Sequence, residues 1–367
     1  MRRKQAAAET SPVATRPSIE NRRGTGQDGF SLIELMITSL VFLIITCSIF
    51  SVMKSSFGAS ITAYEMTDAQ ESLRFAQEQI NRDLLNVGEG LKAVGSVRLP
   101  VSFVKTYLSS RTQAQLDPDG DGSVSISIVT SEDNAASTPI PGGNTPLSVR
   151  AGTDRITLLS ADPIFDPLSL PPGSITPSGS NVSIASSTAG GFNIGEIYYI
   201  TNGSEATFGT ITNITGGSNP NLIFAAGDVY GLNQPGNGGP INVVSDKGNK
   251  ACSLMRMSMF HYFVDSNGLF VRRTFGVGGA GFSDSIIAEH VVNMQFLYYL
   301  NLRDANGNLR QPVTSLSNSD QQAVRMVEAT ITAETVHKVV MGQRQQISST
   351  AITAVRNLQF RHAQQPN

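Results

Sequence analysis

Between Phe30 and Met53 the chain reads FSLIELMITSLVFLIITCSIFSVM, 24 residues with one charge, Glu34, and neither glycine nor proline. Wound into a helix, such a run is about 36 Å long, enough to cross the hydrocarbon core of a bilayer. Its serines and threonines are tolerable there because a helix's own carbonyls accept their hydroxyl protons. A secretory signal peptide places its apolar core before the cut, with small residues at the cut. Here the order is reversed: the basic, polar segment 1–29 comes first, so a cut at its end leaves the helix on the mature chain. Arg22 and Arg23 precede the run and only Lys54 follows closely. The positive-inside rule therefore puts residues 1–29 in the cytoplasm and 54–367 outside, in a single pass.

Glu34 is costly in that run. A carboxylate costs ~2.5–3.5 kcal/mol at mid-membrane, less near the interface, and usually marks function. It lies one helical turn into the apolar run, near its start. The alternative is a carboxylate that snorkels to the membrane edge.

The octet Gly29-Phe30-Ser31-Leu32-Ile33-Glu34-Leu35-Met36 resembles the cleavage and methylation motif of type IV prepilins. The resemblance implies cleavage after Gly29 by an aspartyl prepilin peptidase, N-methylation of Phe30, and pairing of Glu34 with the Phe30 amine of an adjacent subunit during assembly. The family usually carries Lys or Arg close to the glycine; here Gln27 and Asp28 intervene after Arg23.

Beyond Lys54, apolar residues recur at Phe57, Ile61 and Tyr64, then at Leu73, Ala76, Ile80, Leu84 and Val87, with Glu65, Asp68, Glu71, Arg74, Glu78 and Arg82 between them. That spacing predicts one amphipathic helix continuing the apolar run, bent at Gly58 and stopped at Gly88. From residue 90 onward the period changes to that of strands: 155–159, 196–201, 208–214, 255–264, 269–275, 291–300, 324–332 and 347–356, with turn signals such as Asn267-Gly268 and Asn306-Gly307. The expected fold is α+β, a long N-terminal helix packed on a large antiparallel β domain. Its expected segments are a leader 1–29, the helix 30–87 (membrane-spanning 30–53), a loop-rich region 88–150, and an antiparallel β domain 151–360. Residues 131–150, 166–191 and 233–250 read as surface loops. Ile80–Leu84, Gly195–Thr201 with Phe208–Ile214, Val291–Tyr298 before Asp304–Gly307, and Arg356-Asn357 are similar, in that order, to PilW-type minor pilins. That resemblance implies a subunit that initiates or primes type IV pilus assembly. Its partners would be other major and minor pilins, the prepilin peptidase and an inner-membrane assembly platform; its location would be the inner membrane, then the pilus. A J-like pseudopilin of a type II secretion system and a tip adhesin or ligand-binding module are the alternatives.

The remaining patterns have plainer readings beside the functional ones. Residues 1–29 hold six of the 27 basic and three of the 29 acidic side chains, which leaves the rest of the chain at a net −5. So acidic a body does not suit the phosphate backbone of nucleic acid. Asp117, Asp119 and Asp121 begin like a calcium loop, D-x-D-x-D-G. The twelfth position is Ile128, which excludes an EF-hand. A loose calcium site or a solvated acidic turn remains, the turn being preferred; no other cofactor is expected. Gly276–Gly281 matches G-x-G-x-x-G but lies among antiparallel strand signals, so a glycine loop is expected. Met255, Met257, Met259 and His261 share a strand face, read as core filler over a copper site. Cys47 and Cys252 read as small apolar residues. No P-loop, nucleophile elbow or paired cysteine site occurs, and the expected role is not enzymatic.

Overall fold

The computed structural model describes residues 29–89, 91, 96–143, 145–277, 281–317, 320–337 and 344–355. Residues 1–28 of the leader and Arg356-Asn357 lie outside them. The chain divides into two compact units between Phe57 and Gly58. A single helix, α1 (Leu32–Asn86), contributes its first half to one and its second half to the other.

Strands follow α1 in the order β1 (Val97–Pro100), β2 (Ser123–Ile126), β3 (Val129–Glu132), β4 (Pro139–Ile140), β5 (Leu147–Ser148), β6 (Arg155–Ala161), β7 (Leu168–Leu170), β8 (Asn181–Ser183) and β9 (Ile197–Thr201). Then come β10 (Ala206–Thr210), β11 (Asn213–Ile214), β12 (Asn221–Ile223), β13 (Cys252–Val264), β14 (Phe270–Phe275), β15 (Phe282–Ala288), β16 (Val291–Leu300), β17 (Val324–Glu334) and β18 (Gln346–Ala354). The architecture is mixed α+β with largely antiparallel sheets; among the described strands only β1 and β10 pair in parallel.

Strand β13 is the spine. Its first half, Cys252–Arg256, pairs with β7 and β9; its second half, Met257–Val264, pairs with β6 and β14. One 13-residue strand thereby joins two branches of the same sheet, which runs β15-β14-β13-β9-β10-β1-β2 with β6 and β3 on the side branch. A second sheet, β16-β17-β18, stands beside it. Asp154 ties the two sheets together. Its N–H donates to the Met294 carbonyl at 2.9 Å, and its carboxylate accepts the Phe296 N–H at 2.7 Å and the Asn134 N–H at 2.9 Å. Burial, with Asp133 nearby, raises that carboxyl to about 6.

Three expectations change. Residues 131–150, 166–191 and 233–250 are not only surface loops: they hold β4, β5, β7 and β8 and bury Ile140, Leu170, Val182 and Ile241. Residues 88–150 are not a loop-rich region set apart from the β domain: β1, β2 and β3 belong to the main sheet. These strands are four residues each, too short for alternation to announce them. Residues 208–214 are not one strand either. β10 ends at Thr210, and β11 joins a separate sheet, β11-β12-β8, over a core of its own that includes Val182, Phe192, Ile211, Leu222 and Phe224. The predicted turn at Asn267-Gly268 closes the β13–β14 hairpin, with Gly268 at φ 82° where only glycine is unstrained.

Candidate functional sites

Ser31 accepts the first helical bonds of α1, from Glu34 at 2.9 Å and Leu35 at 3.1 Å. Gly29 and Phe30 therefore precede the helix in irregular, exposed backbone. That is the conformation a peptidase needs, since a helical peptide bond cannot enter an extended binding cleft. Glu34 sits in the first turn, where a carboxylate complements the partial positive charge of the helix N-terminus.

From Leu32 to Phe57 every side chain of α1 is exposed among the described residues. The helix is long and apolar enough to cross a membrane, consistent with a single-pass anchor. Its hydroxyls turn inward: Thr38 donates to the Glu34 carbonyl at 2.9 Å, Thr46 to Phe42 at 2.8 Å and Ser48 to Ile44 at 2.9 Å. These hydroxyls, and that of Ser39, which donates to the Met36 carbonyl at 3.0 Å, are satisfied within the helix, as an apolar solvent demands.

The second half of α1 behaves differently. Leu73, Ala76, Ile80 and Leu84 are buried at steps of three and four, continuing through Val87. Phe57, Ile61 and Tyr64, expected on the same stripe, stay exposed, so the buried apolar stripe begins at Leu73, although Glu65 already accepts from the His337 N–H at 3.1 Å. Two polar residues share the buried face and were missed as such. Gln77 donates to the Ala329 carbonyl of β17 at 3.1 Å. Asp83 accepts from the Tyr262 hydroxyl and from Arg272 Nε, both at 2.6 Å, and the Arg272 guanidinium lies 4.0 Å from the centroid of the Phe260 ring. Burial and the Asp83 carboxylate push the Tyr262 phenol well up. Asn81 accepts from Thr353 of β18 at 2.6 Å. The helix is thus bolted to both sheets through side chains at i, i+4 and i+6. Gly88, at φ 76°, turns the chain, and its N–H donates to Leu159 of β6 at 2.9 Å.

The acidic loop closes on itself. Asp117 is buried, and its two carboxylate oxygens accept the Asp121 and Gly122 N–H groups at 3.0 and 2.9 Å. Asp121 accepts from the Ser123 N–H and hydroxyl, which hold its carboxyl below the usual range, and pairs with Arg98 at 2.7 Å. The three carboxylates do come within 4.8 Å of one another. Backbone N–H groups, the Ser123 hydroxyl and the Arg98 guanidinium take part of the accepting capacity of Asp117 and Asp121. His261 is fully buried, with Nδ1 3.0 Å from the Thr157 hydroxyl. Burial and the flanking Arg155 and Arg273 hold it well below its usual range. Two guanidinium charges beside it oppose a copper ion, and Met255, Met257 and Met259 are buried as core. Gly276 and Gly281 close the β14–β15 hairpin, so no helix follows to cradle a dinucleotide; positions 278–280 lie outside the described residues. Cys47 and Cys252 are free thiols, exposed and buried respectively.

No family model matches the chain, and no curated protein matches it either.

Proposed function

We propose that this chain is a pilin-like subunit of the PilW-type minor pilin class. It is cut after Gly29, methylated at Phe30, and carried into a type IV pilus by its N-terminal helix to initiate or prime assembly. Its role is structural rather than enzymatic. The observation that carries the reading is the conjunction at one end of the chain: an exposed, non-helical Gly29-Phe30 runs straight into an apolar helix that is exposed among the described residues. The same helix then docks on a β domain through its second half. Such a subunit can sit in the inner membrane and pass into a bundle of like helices without refolding. Other pilins supply the cover for residues 32–57, with the prepilin peptidase and an assembly platform as earlier partners.

Glu34 gives the test. Glu34→Leu should insert and be cut normally, since it removes an expensive charge from the membrane. It should be depleted at least tenfold from sheared pili, because the Phe30 amine then enters an apolar bundle unpaired. Normal incorporation of Glu34→Leu would remove the pairing role.

A further inference from the structure

Strand β18 is the edge of the second sheet, paired with β17 along all nine residues. At its two ends Val355 N–H donates to Arg325 and Thr335 N–H to Gln345, both at 2.9 Å. With Ala354 opposite Met326 and Gln346 opposite Glu334, these bonds mark the even-numbered residues as non-hydrogen-bonded pairs. Ser348, Thr350 and Ile352 therefore turn their N–H and C=O groups to the free edge. Among the described residues no backbone group meets them there.

Natural edge strands are blunted by charge, proline, bulges or a cover. QISSTAITA carries no charge, no proline and no bulge against β17. Beside the edge lies an open groove of about 490 Å³ between β18 and α1, with Ser349 on one wall and Leu85, 41% exposed, on the other. Arg74, Glu78 and Arg82 line its helix side. Four helical residues advance about 6 Å, and two strand residues about 6.8 Å. A strand added to β18 therefore presents every second side chain to this row in near register. The row reads plus, minus, plus. A second copy of β18 brings no charge to it.

We infer that this edge receives an extended strand of a different chain, one whose alternate residues run acidic, basic, acidic toward α1. Main-chain bonds supply the affinity and the charge row supplies the choice of strand. The inference needs only β18 and α1 and does not depend on the pilus reading.

The probe is acetyl-Thr-Val-Asp-Val-Lys-Val-Asp-Val-Thr-amide, with a control in which Asp and Lys are exchanged; the target is the full-length chain in detergent. Hydrogen exchange at Ser348, Thr350 and Ile352 should slow at least tenfold with the first peptide, and the control should bind at least fivefold more weakly. Arg74→Glu with Glu78→Arg and Arg82→Glu, all exposed, should invert that preference. Thr350→Pro removes one outward N–H while leaving the β17 bonds in place, and should abolish protection by both peptides. Equal binding of the two peptides, or none, overturns the inference. So does protection already present without peptide, whether it is lost on deleting residues 356–367 (the chain covers its own edge) or grows with protein concentration (a second copy does).

Discussion

The two halves of α1 share one secondary structure and differ in what they ask of their surroundings. From Leu32 to Phe57 apolar side chains lie on every face, and Thr38, Ser39, Thr46 and Ser48 bond back to the helix. From Leu73 to Val87 one face is buried and carries Gln77 and Asp83 toward partners on the sheets. A helix with no polar face needs an apolar solvent; a helix with one buried stripe needs only its own domain. The comparison teaches that burial on folding is decided here by a change of pattern within one element, at a point with no break in hydrogen bonding.

Matched truncations in the two halves test that contrast most strongly. Ile80→Ala should destabilise the β domain by about 3–4 kcal/mol, since Ile80 is fully buried beneath the sheets. Ile45→Ala, in the exposed half, should leave it unchanged within about 0.5 kcal/mol. Urea denaturation in detergent, followed by near-ultraviolet circular dichroism, separates the two. The chain has eight tyrosines and no tryptophan, and every tyrosine lies beyond residue 57, so the signal reports the β domain. Equal losses would erase the distinction.

A smaller effect is expected from the polar bolt. Asp83→Ala leaves the Arg272 guanidinium without its carboxylate, at a cost of about 3 kcal/mol, the low end for a broken buried pair because Arg272 keeps 17% of its side-chain exposure. Asp83→Asn, which keeps an acceptor, should recover part of the loss in the same denaturation assay.

The platform under the docked half supplies the smallest and pH-dependent effect. α1 rests on both sheets, and Asp154 ties them. Its folded-state carboxyl, at about 6, stands above the ordinary value of 3.8. The stability it contributes is therefore fully present below pH 3.8 and lost as pH rises through 6. Relative to Asp154→Asn, the wild type should lose about 2–3 kcal/mol between pH 4 and pH 7. Parallel pH profiles for the two would contradict the burial of that charge.

Much of this was legible because the period of the pattern is strong. The apolar run, the stripe through Leu73, Ala76, Ile80 and Leu84, and the long strands near β13, β16 and β17 all announce themselves by spacing. The failures have physical reasons. Strands of three or four residues are too short for alternation, and β15, FSDSIIA, turns Ser and Asp toward Arg272, Arg273 and Thr274 on its neighbour, so it does not read as a strand. Asp83 looks like one more charge on a solvated face until the sheet supplies Tyr262 and Arg272, from about 180 residues away in sequence. Phe57, Ile61 and Tyr64 keep the helical spacing but stay exposed among the described residues, because spacing tells which face is apolar and not where the domain begins.

The central claim is that the exposed half of α1 becomes the N-terminus of a mature, assembling subunit. Intact mass and N-terminal sequencing of the full chain, coexpressed with a prepilin peptidase, test it most directly. The account predicts a chain that begins at N-methylated Phe30 and retains the whole helix. A chain that keeps residues 1–29, or one cut beyond Met53 so that the helix is lost, would contradict it.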